Sequence, residues 1–252
     1  MKTREEKFLS SQEEYLKARE LLAVLAFEEG IIQPRLGEKD RVTFKVMREK
    51  NLDFLERVPV YTDNRIVQSL PEVRHLEIQL LTWLVENHPG SYDLIAPVPD
   101  EANWLSFGVA LATGIPHIQP RRPKGYGVQD EDPIDGRFNA EQTVVTIEGT
   151  SSTFGSILIN VKRLKIRKLS VPKAHAMFTY EWGSREAMAK EGCEFEPVMT
   201  VREAFGIGLK AHRVTQEEHD VVTSYLVRSK KFYRGEHTRD RAETLGLIRA
   251  GY

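Results

Sequence analysis

Short apolar runs that alternate with helical segments constrain this chain more than any other feature of its sequence. The run at 143–147 (TVVTI) is rich in β-branched residues, and a loop of small residues and a helical segment follow it. The same succession recurs in KAHAMFTY, SREAMAKEG and FEPVMT. Strand, loop and helix repeated at this spacing are typical of βαβ units. The sequence therefore predicts an α/β fold with a parallel sheet covered on both faces.

Three further helices are indicated outside this core. Residues 11–29 place apolar side chains at helical spacing and end at Gly30, and residues 71–85 repeat that pattern. A C-terminal helix begins after Thr215, a suitable N-cap. We expect an N-terminal region at 1–90, an α/β core at 91–212, and a C-terminal helix with a charged tail at 213–252. The stretch before residue 60 gives only a weak strand or irregular prediction.

Composition limits the partners. The 252 residues contain 36 Lys and Arg against 37 Asp and Glu, so a net charge of -1 gives no general attraction to nucleic acid or to an anionic membrane. No apolar run approaches the roughly 20 residues that cross a bilayer, and the N-terminal residues are charged. We expect a cytoplasmic, soluble protein. Its single cysteine, Cys193, excludes an internal disulfide and is more simply a buried apolar residue than a catalytic thiol.

The loop within VVTIEGTSSTFGS (144–156) has the composition of a phosphate-binding loop. Small residues let backbone amides turn toward a phosphate, hydroxyls add donors, and the N-terminus of the next helix adds partial positive charge. The candidates are Ser151, Ser152, Thr153, Gly155 and Ser156. Composition alone also fits an ordinary capped loop. Upstream, residues 121–125 (RRPKG) concentrate cationic side chains beside glycine, which suits either closure over a polyphosphate or a solvated loop.

The same segment resembles the phosphoribosyl-pyrophosphate motif of type I phosphoribosyltransferases, in which an apolar strand leads into two acidic residues and a hydroxyl- and glycine-rich loop. Other segments resemble orotate phosphoribosyltransferases and keep the family's order over about residues 18–235. They are PVYTDNR, LPEVR, YDLIAPVP, RPKGYG, IDGRF, MFTY and VTQEEHDVV. Each segment is short, but the ordered set is specific.

The resemblance implies a parallel-sheet, Rossmann-like type I phosphoribosyltransferase fold with a small N-terminal hood region. It implies transfer of the phosphoribosyl group from phosphoribosyl pyrophosphate to a pyrimidine such as orotate, with Mg²⁺, in a homodimer. Lys124 and Glu148 take the catalytic positions. Contacts to phosphoribosyl pyrophosphate are expected from Arg121, Arg122, Lys124, Tyr126, Glu148, Ser151, Ser152, Thr153, Gly155 and Ser156. Ser152 and Lys45 are the candidates for the base, and Asp100 and Glu101 for a metal ion.

Several positions depart from the family pattern. Gly149 stands where the second acidic residue is expected, Phe154 replaces a loop glycine, Pro120 an arginine and Tyr126 a histidine. The carboxylates at 100 and 101 replace small and hydroxyl residues, and residues 46–57 resemble an insertion. A protein of the same fold with a binding or regulatory role is therefore the alternative. A different nucleotide-binding module is least favoured, because no strand leads into G-x-G-x-x-G or a P-loop motif.

Overall fold

The structure is a computed structural model that describes residues 9–37, 39–41, 56–88, 90–121, 134–152 and 155–233. The N-terminal elements are α1 (Gln12–Glu28), β1 (Ile32–Pro34), β2 (Val60–Thr62), the 3-10 helix η1 (Asn64–Ser69) and α2 (Pro71–Glu86). The following elements are β3 (Leu94–Pro97), α3 (Asn103–Thr113), β4 (Gln119–Pro120), β5 (Ile134–Asp135), β6 (Thr143–Ser151) and α4 (Gly155–Ile166). The last are β7 (Ser170–Thr179), α5 (Ser184–Lys190), β8 (Glu194–Thr200), α6 (Val201–Lys210) and α7 (Gln216–Tyr233).

A four-stranded parallel sheet in the order β3-β6-β7-β8 forms the centre of the protein. Its strands are buried on both faces because one hydrophobic core lies on each side. Helices α1, α2, α3, α6 and α7 contribute to the larger core, whereas α4 and α5 cover the opposite face. The prediction of an α/β fold with a doubly covered parallel sheet is confirmed.

The N-terminal hood is a small antiparallel pair beside this sheet. Strand β1 pairs with β2 in the register Ile32↔Thr62 and Pro34↔Val60. The hydroxyls of Thr62 and Tyr180 lie 3.1 Å apart and connect the pair to the end of β7. Strands of three residues are too short to show alternation, which is why the sequence pattern predicts them only weakly. Lys45 and most of the suspected insertion lie outside the described residues.

Helix α6 was not anticipated from the sequence, although its start carries a capping signal. The Glu203 amide donates to Thr200 Oγ1 at 3.0 Å, and the Thr200 amide donates to Glu203 Oε2 at 2.8 Å. The two glycines Gly206 and Gly208 lower the intrinsic helix propensity of this segment. Gly208 is required by packing, because a Cβ there would lie 2.5 Å from Phe27 Cε2 on α1.

Helix α7 begins as predicted. Thr215 and Glu218 form reciprocal bonds, with the Glu218 amide 3.2 Å from Thr215 Oγ1 and the Thr215 amide 2.7 Å from Glu218 Oε2. The helix docks through aromatic side chains, since Trp182 stacks on Tyr233 with ring centroids 4.8 Å apart. The C-terminal segment after residue 233 lies outside the described residues.

Cys193 is buried, as expected, and burial raises the pKa of its thiol to about 12. In the described part of the chain, no helix combines the length and the apolar character needed to cross a membrane.

Packing between α1 and α6 gives a test of the fold. We expect Gly208→Ala to lower the free energy of unfolding by about 1–3 kcal/mol, because the added methyl overpacks against the Phe27 ring. That ring has little freedom to move, since it meets Phe205 edge-on at 5.1 Å. Urea unfolding followed by circular dichroism measures the change.

Gly206→Ala is the matched control, because a Cβ at that position has no atom within 4 Å. It keeps the same helix and the same substitution and should gain up to about 1 kcal/mol from helix propensity. Equal stability of the two variants would contradict the packing argument.

Candidate active site

The candidate site lies where the chain changes direction across the sheet. Strand β3 pairs with β6 on one side, and on the other side Ile95 bridges in parallel to His117 after α3. The chain that leaves β3 therefore runs toward the edge at His117, whereas the chain that leaves β6 passes through α4 to β7 on the opposite side. In open parallel sheets this arrangement leaves a crevice at the carboxyl ends of the strands, where ligands bind.

One buried amide holds the two strands that border this crevice. Asn160 of α4 is 1% exposed, and its Nδ2 donates to the Pro97 carbonyl at 3.0 Å and to Thr146 Oγ1 at 2.9 Å. The first acceptor lies at the end of β3 and the second lies in β6. The side chain thus connects both strands to the helix that follows the candidate phosphate loop, which fixes the position of that helix.

Glu148 lies at the carboxyl end of β6 and is almost completely buried. Its Oε1 accepts a hydrogen bond from the Gly149 amide at 3.3 Å. Burial, and then the nearby charge of Glu101, raise the pKa of Glu148 well above its usual range, although the Gly149 amide opposes this. A carboxyl group with a strongly raised pKa in a crevice is a candidate functional group.

Glu101 reaches the same place from the turn between β3 and α3. Burial raises the pKa of this carboxyl, the Arg65 charge opposes the shift, and Asp63 adds to it. Arg65 is itself held by Asp63, with Nε to Oδ1 at 2.7 Å and Nη2 to Oδ2 at 2.8 Å. The Asp63–Arg65 pair is a scaffold bridge in the hood, and it places a positive charge near Glu101.

A third carboxyl group, Glu77 on α2, is fully buried near Glu101. Asn64 Nδ2 donates to Glu77 Oε2 at 3.1 Å. Burial raises the pKa of Glu77 to about 8, while this hydrogen bond lowers it and the charge of Glu101 raises it. Sequence reasoning missed this residue. The signal was available, because Glu77 falls on the apolar stripe that contains Val73, Leu80 and Leu81.

The candidate phosphate loop ends at the N-terminus of α4. Gly155 and Ser156 are exposed in the first turn of that helix, where backbone amides have no partner within the helix. Ser152 is half-buried. The hydroxyl of Ser151 is buried and lies 3.3 Å from Ser184 Oγ, so it is engaged within the protein. Thr153 and Phe154 lie outside the described residues.

The cationic segment starts and ends on a short antiparallel pair. Gln119 pairs with Asp135 and Pro120 with Ile134. Arg121 forms a two-point ion pair with Asp135, and the Arg163 guanidinium donates to the Arg121 carbonyl. Arg121 is therefore anchored at the base of this segment. Arg122, Lys124 and Tyr126 lie outside the described residues, and their roles stay predictions.

The two carboxylates proposed for a metal ion, Asp100 and Glu101, differ in their burial. Asp100 is exposed, whereas Glu101 is half-buried and belongs with Glu148. Within the described ranges, no three His, Cys, Asp or Glu side chains are grouped so that they could hold a metal ion.

Comparison with known proteins places this arrangement in a family. No family model matches the sequence. The orotate phosphoribosyltransferase of Bacillus caldolyticus is 32% identical over 169 residues, which are 66% of this chain and 79% of that protein. Among solved structures, Leishmania donovani UMP synthase superposes with a TM-score of 0.70 and 20% identity, covering 84% of this chain and 42% of that chain. Mycobacterium tuberculosis orotate phosphoribosyltransferase in complex with phosphoribosyl pyrophosphate superposes with a TM-score of 0.55 and 21% identity. This match covers 74% of this chain and 98% of that chain.

The parallel sheet, the crevice at its switch point and these superpositions define the fold of type I phosphoribosyltransferases. The chain belongs to the orotate phosphoribosyltransferase family, as its sequence identity to the Bacillus enzyme shows. The family and the fold that the sequence predicted are both confirmed.

The buried acids give a test through pH. Glu77 has a folded-state pKa of about 8 against an unfolded value of about 4.3. The folded state thus binds more protons in this window, so the stability contribution is complete below the lower value and is lost as pH rises through the upper one. We expect the free energy of unfolding to fall from pH 5 to pH 8.

Glu77→Gln should make that decline shallower and raise the free energy of unfolding at pH 8 by roughly 1–3 kcal/mol, because the amide is neutral and still accepts from Asn64. Glu86→Gln is the control, since Glu86 is exposed near the end of the same helix. Guanidinium unfolding at several pH values measures both. An unchanged pH dependence in Glu77→Gln would show that Glu77 is not the titrating group.

Proposed function

We propose that this protein transfers the phosphoribosyl group from phosphoribosyl pyrophosphate to orotate, giving orotidine 5′-phosphate for pyrimidine nucleotide synthesis. Membership of the orotate phosphoribosyltransferase family supports this assignment. The observation that carries it is that Glu148, near the end of β6, and the first turn of α4 are close together in the sequence. The buried carboxyl of Glu148 suits the hydroxyls of ribose, and the open first turn of α4 suits the 5′-phosphate.

In the proposed reaction, a bond from a base nitrogen to ribose C1 forms as the bond from C1 to the pyrophosphate oxygen breaks, and the proton of that nitrogen passes to the departing pyrophosphate or to solvent. The chain contributes by orientation and charge rather than by a covalent nucleophile. Glu148 accepts hydrogen bonds from ribose and fixes its ring, and Ser152 and Lys45 contact the base. Lys124, with Arg122 and Tyr126, neutralises charge that develops on the departing pyrophosphate.

We include Mg²⁺ in the proposal because of the family resemblance. This ion commonly enters active sites on substrate phosphates with few protein carboxylates. Asp100 is the exposed carboxylate nearest in sequence to the crevice. The described residues offer no complete ligand set, so no step is assigned to the metal.

We further propose that the protein is a cytoplasmic homodimer, as the family resemblance implies, and two-fold dimers are the commonest soluble oligomers. We also propose that the chain consists of an N-terminal region at 1–90, an α/β core at 91–212, and a C-terminal helix with a charged tail at 213–252. Sedimentation equilibrium at micromolar concentration measures the mass, and a monomer would contradict the dimer.

The direct test of function is turnover. Purified protein incubated with Mg²⁺, phosphoribosyl pyrophosphate and orotate should consume orotate, measured by absorbance, and release an equal amount of pyrophosphate. We expect Lys124→Ala to reduce kcat by about 100-fold or more, because a positive charge at the leaving group is lost. Lys190→Ala, an exposed lysine in the last turn of α5, is the matched control.

Substrate binding without turnover in the wild-type protein would contradict the enzymatic proposal. It would favour the alternative of a binding or regulatory protein with this fold, which the names of the relatives do not favour.

The phosphate position can be tested separately. A Cβ on Gly155 would have no protein atom within 4 Å, so Gly155→Ala should fold with unchanged or slightly higher stability. The methyl group would occupy space where a phosphate approaches the first amides of α4. We therefore expect the KM for phosphoribosyl pyrophosphate to rise about tenfold or more while the melting temperature does not fall.

Gly206→Ala, in the distant helix α6, controls for the substitution itself. An unchanged KM in Gly155→Ala would remove the N-terminus of α4 from the proposed site.

A further inference from the structure

The glycine that follows Glu148 is explained by the side chain of Glu101 beside it, and its backbone conformation does not require glycine. Gly149 continues β6, and it is absent from the described glycines with a positive φ, so its conformation does not exclude a side chain. A Cβ at this position would lie 3.0 Å from Glu101 Oε1, 3.3 Å from Glu101 Cγ and 3.4 Å from Asn64 Nδ2. The carboxyl group of Glu101 therefore fills the space that a side chain at 149 would use.

Glu101 also acts on Glu148 as an acidic side chain at position 149 would, because its negative charge raises the pKa of Glu148. Among the described residues, Glu101 is the charged neighbour that raises the pKa of Glu148, and it reaches that position from the carboxyl end of the adjacent strand β3. Among the residues that the structure describes, Glu148 accepts a bond only from the Gly149 amide, and Glu101 accepts none. Toward the part of the chain that the structure describes, these two neighbouring carboxyl groups therefore retain acceptor oxygens that no hydrogen bond uses.

We propose that Glu101 supplies the second carboxylate of the ribose-binding pair, so that Glu148 and Glu101 together hold the two ring hydroxyls from two different strand ends. This inference rests on the proposed function, because it names the groups that bind the ribose of that substrate. It replaces the metal-binding role that the sequence suggested for Glu101.

The chemistry of a ribose ring fits this pair. Carboxyl oxygens accept hydrogen bonds, and each hydroxyl of a vicinal diol can donate one. Two acceptors that come from separate strand ends therefore fix a diol in both position and orientation. Asn64 contacts the same space, and the positive charge of Arg65 opposes the rise that burial causes in the pKa of Glu101.

The proposal makes positions 101 and 149 dependent on each other. Glu101→Ala removes one acceptor and opens space beside Gly149. Gly149→Asp in the wild-type background forces a new carboxyl against the existing one, and the two like charges also repel. In the double variant, the aspartate enters the vacated space and restores a pair with Glu148. Each single change should therefore be harmful, and the two together should compensate.

The test compares ribose 5-phosphate with 2-deoxyribose 5-phosphate, which differ by one hydroxyl, using isothermal titration calorimetry. Wild-type protein should bind ribose 5-phosphate about tenfold more tightly or better, because without the hydroxyl a buried acceptor is left without its partner. Glu101→Ala and Gly149→Asp should each reduce this preference about fivefold or more. The double variant should recover it to within about threefold of wild type.

Two controls separate ribose binding from folding and from general charge effects. Glu86→Gln removes a negative charge at an exposed position near the end of α2 and should leave the preference unchanged. The melting temperature of Glu101→Ala should not fall, because the variant loses a half-buried carboxyl without a described hydrogen bond.

The possible failures are distinguishable. An unchanged preference in Glu101→Ala, or a double variant no better than Glu101→Ala, overturns the role of Glu101 even if orotate is turned over. No preference in the wild-type protein also overturns it. A clear ribose preference that depends on Glu101, found without phosphoribosyl transfer, supports the pair and contradicts the proposed function instead.

Discussion

The parallel pairing of β3 with β6 is the constraint on which the rest of the structure depends. It brings together two loops that are far apart in sequence, and it sets the register so that Pro97, the last residue of β3, lies opposite Ile147 of β6. The Asn160 amide then joins both strands to α4. Because backbone and side-chain bonds act together, the candidate sugar and phosphate positions belong to one rigid support. Burial of several carboxyl groups beside these positions is unfavourable, and the stability of the surrounding fold offsets this free energy.

Much of the fold could be predicted from the sequence because its strands are apolar and β-branched and its longer helices have a clear apolar stripe. The segments of β3, β6, β7 and β8 were all recognised. Helix α6 was missed because Gly206 and Gly208 lower helix propensity, and only the tertiary contact with Phe27 explains the second glycine. The strands of the hood were too short for their periodicity to be detected.

The site was predictable where one loop carries the information. Glu148 and the start of α4 were identified from a single stretch, and their surroundings suit the chemistry expected of them. The departure at Gly149 looked like a loss when only the sequence was considered. Its relation to Glu101 depends on how the turn after β3 folds across the sheet, and no local pattern encodes such a contact. Glu77 shows the opposite case, since a charge on an apolar helix stripe was visible but was not interpreted.

The burial of Cys193 has a practical consequence. The chain has only this cysteine, it is 1% exposed, and its high pKa keeps the thiolate scarce at neutral pH. Thiolates, not thiols, react with maleimides and other electrophiles. The thiol of the native protein therefore reacts little with labelling reagents. A cysteine introduced at an exposed position beside the crevice would carry a fluorophore or spin label selectively, without first removing a native residue from the core.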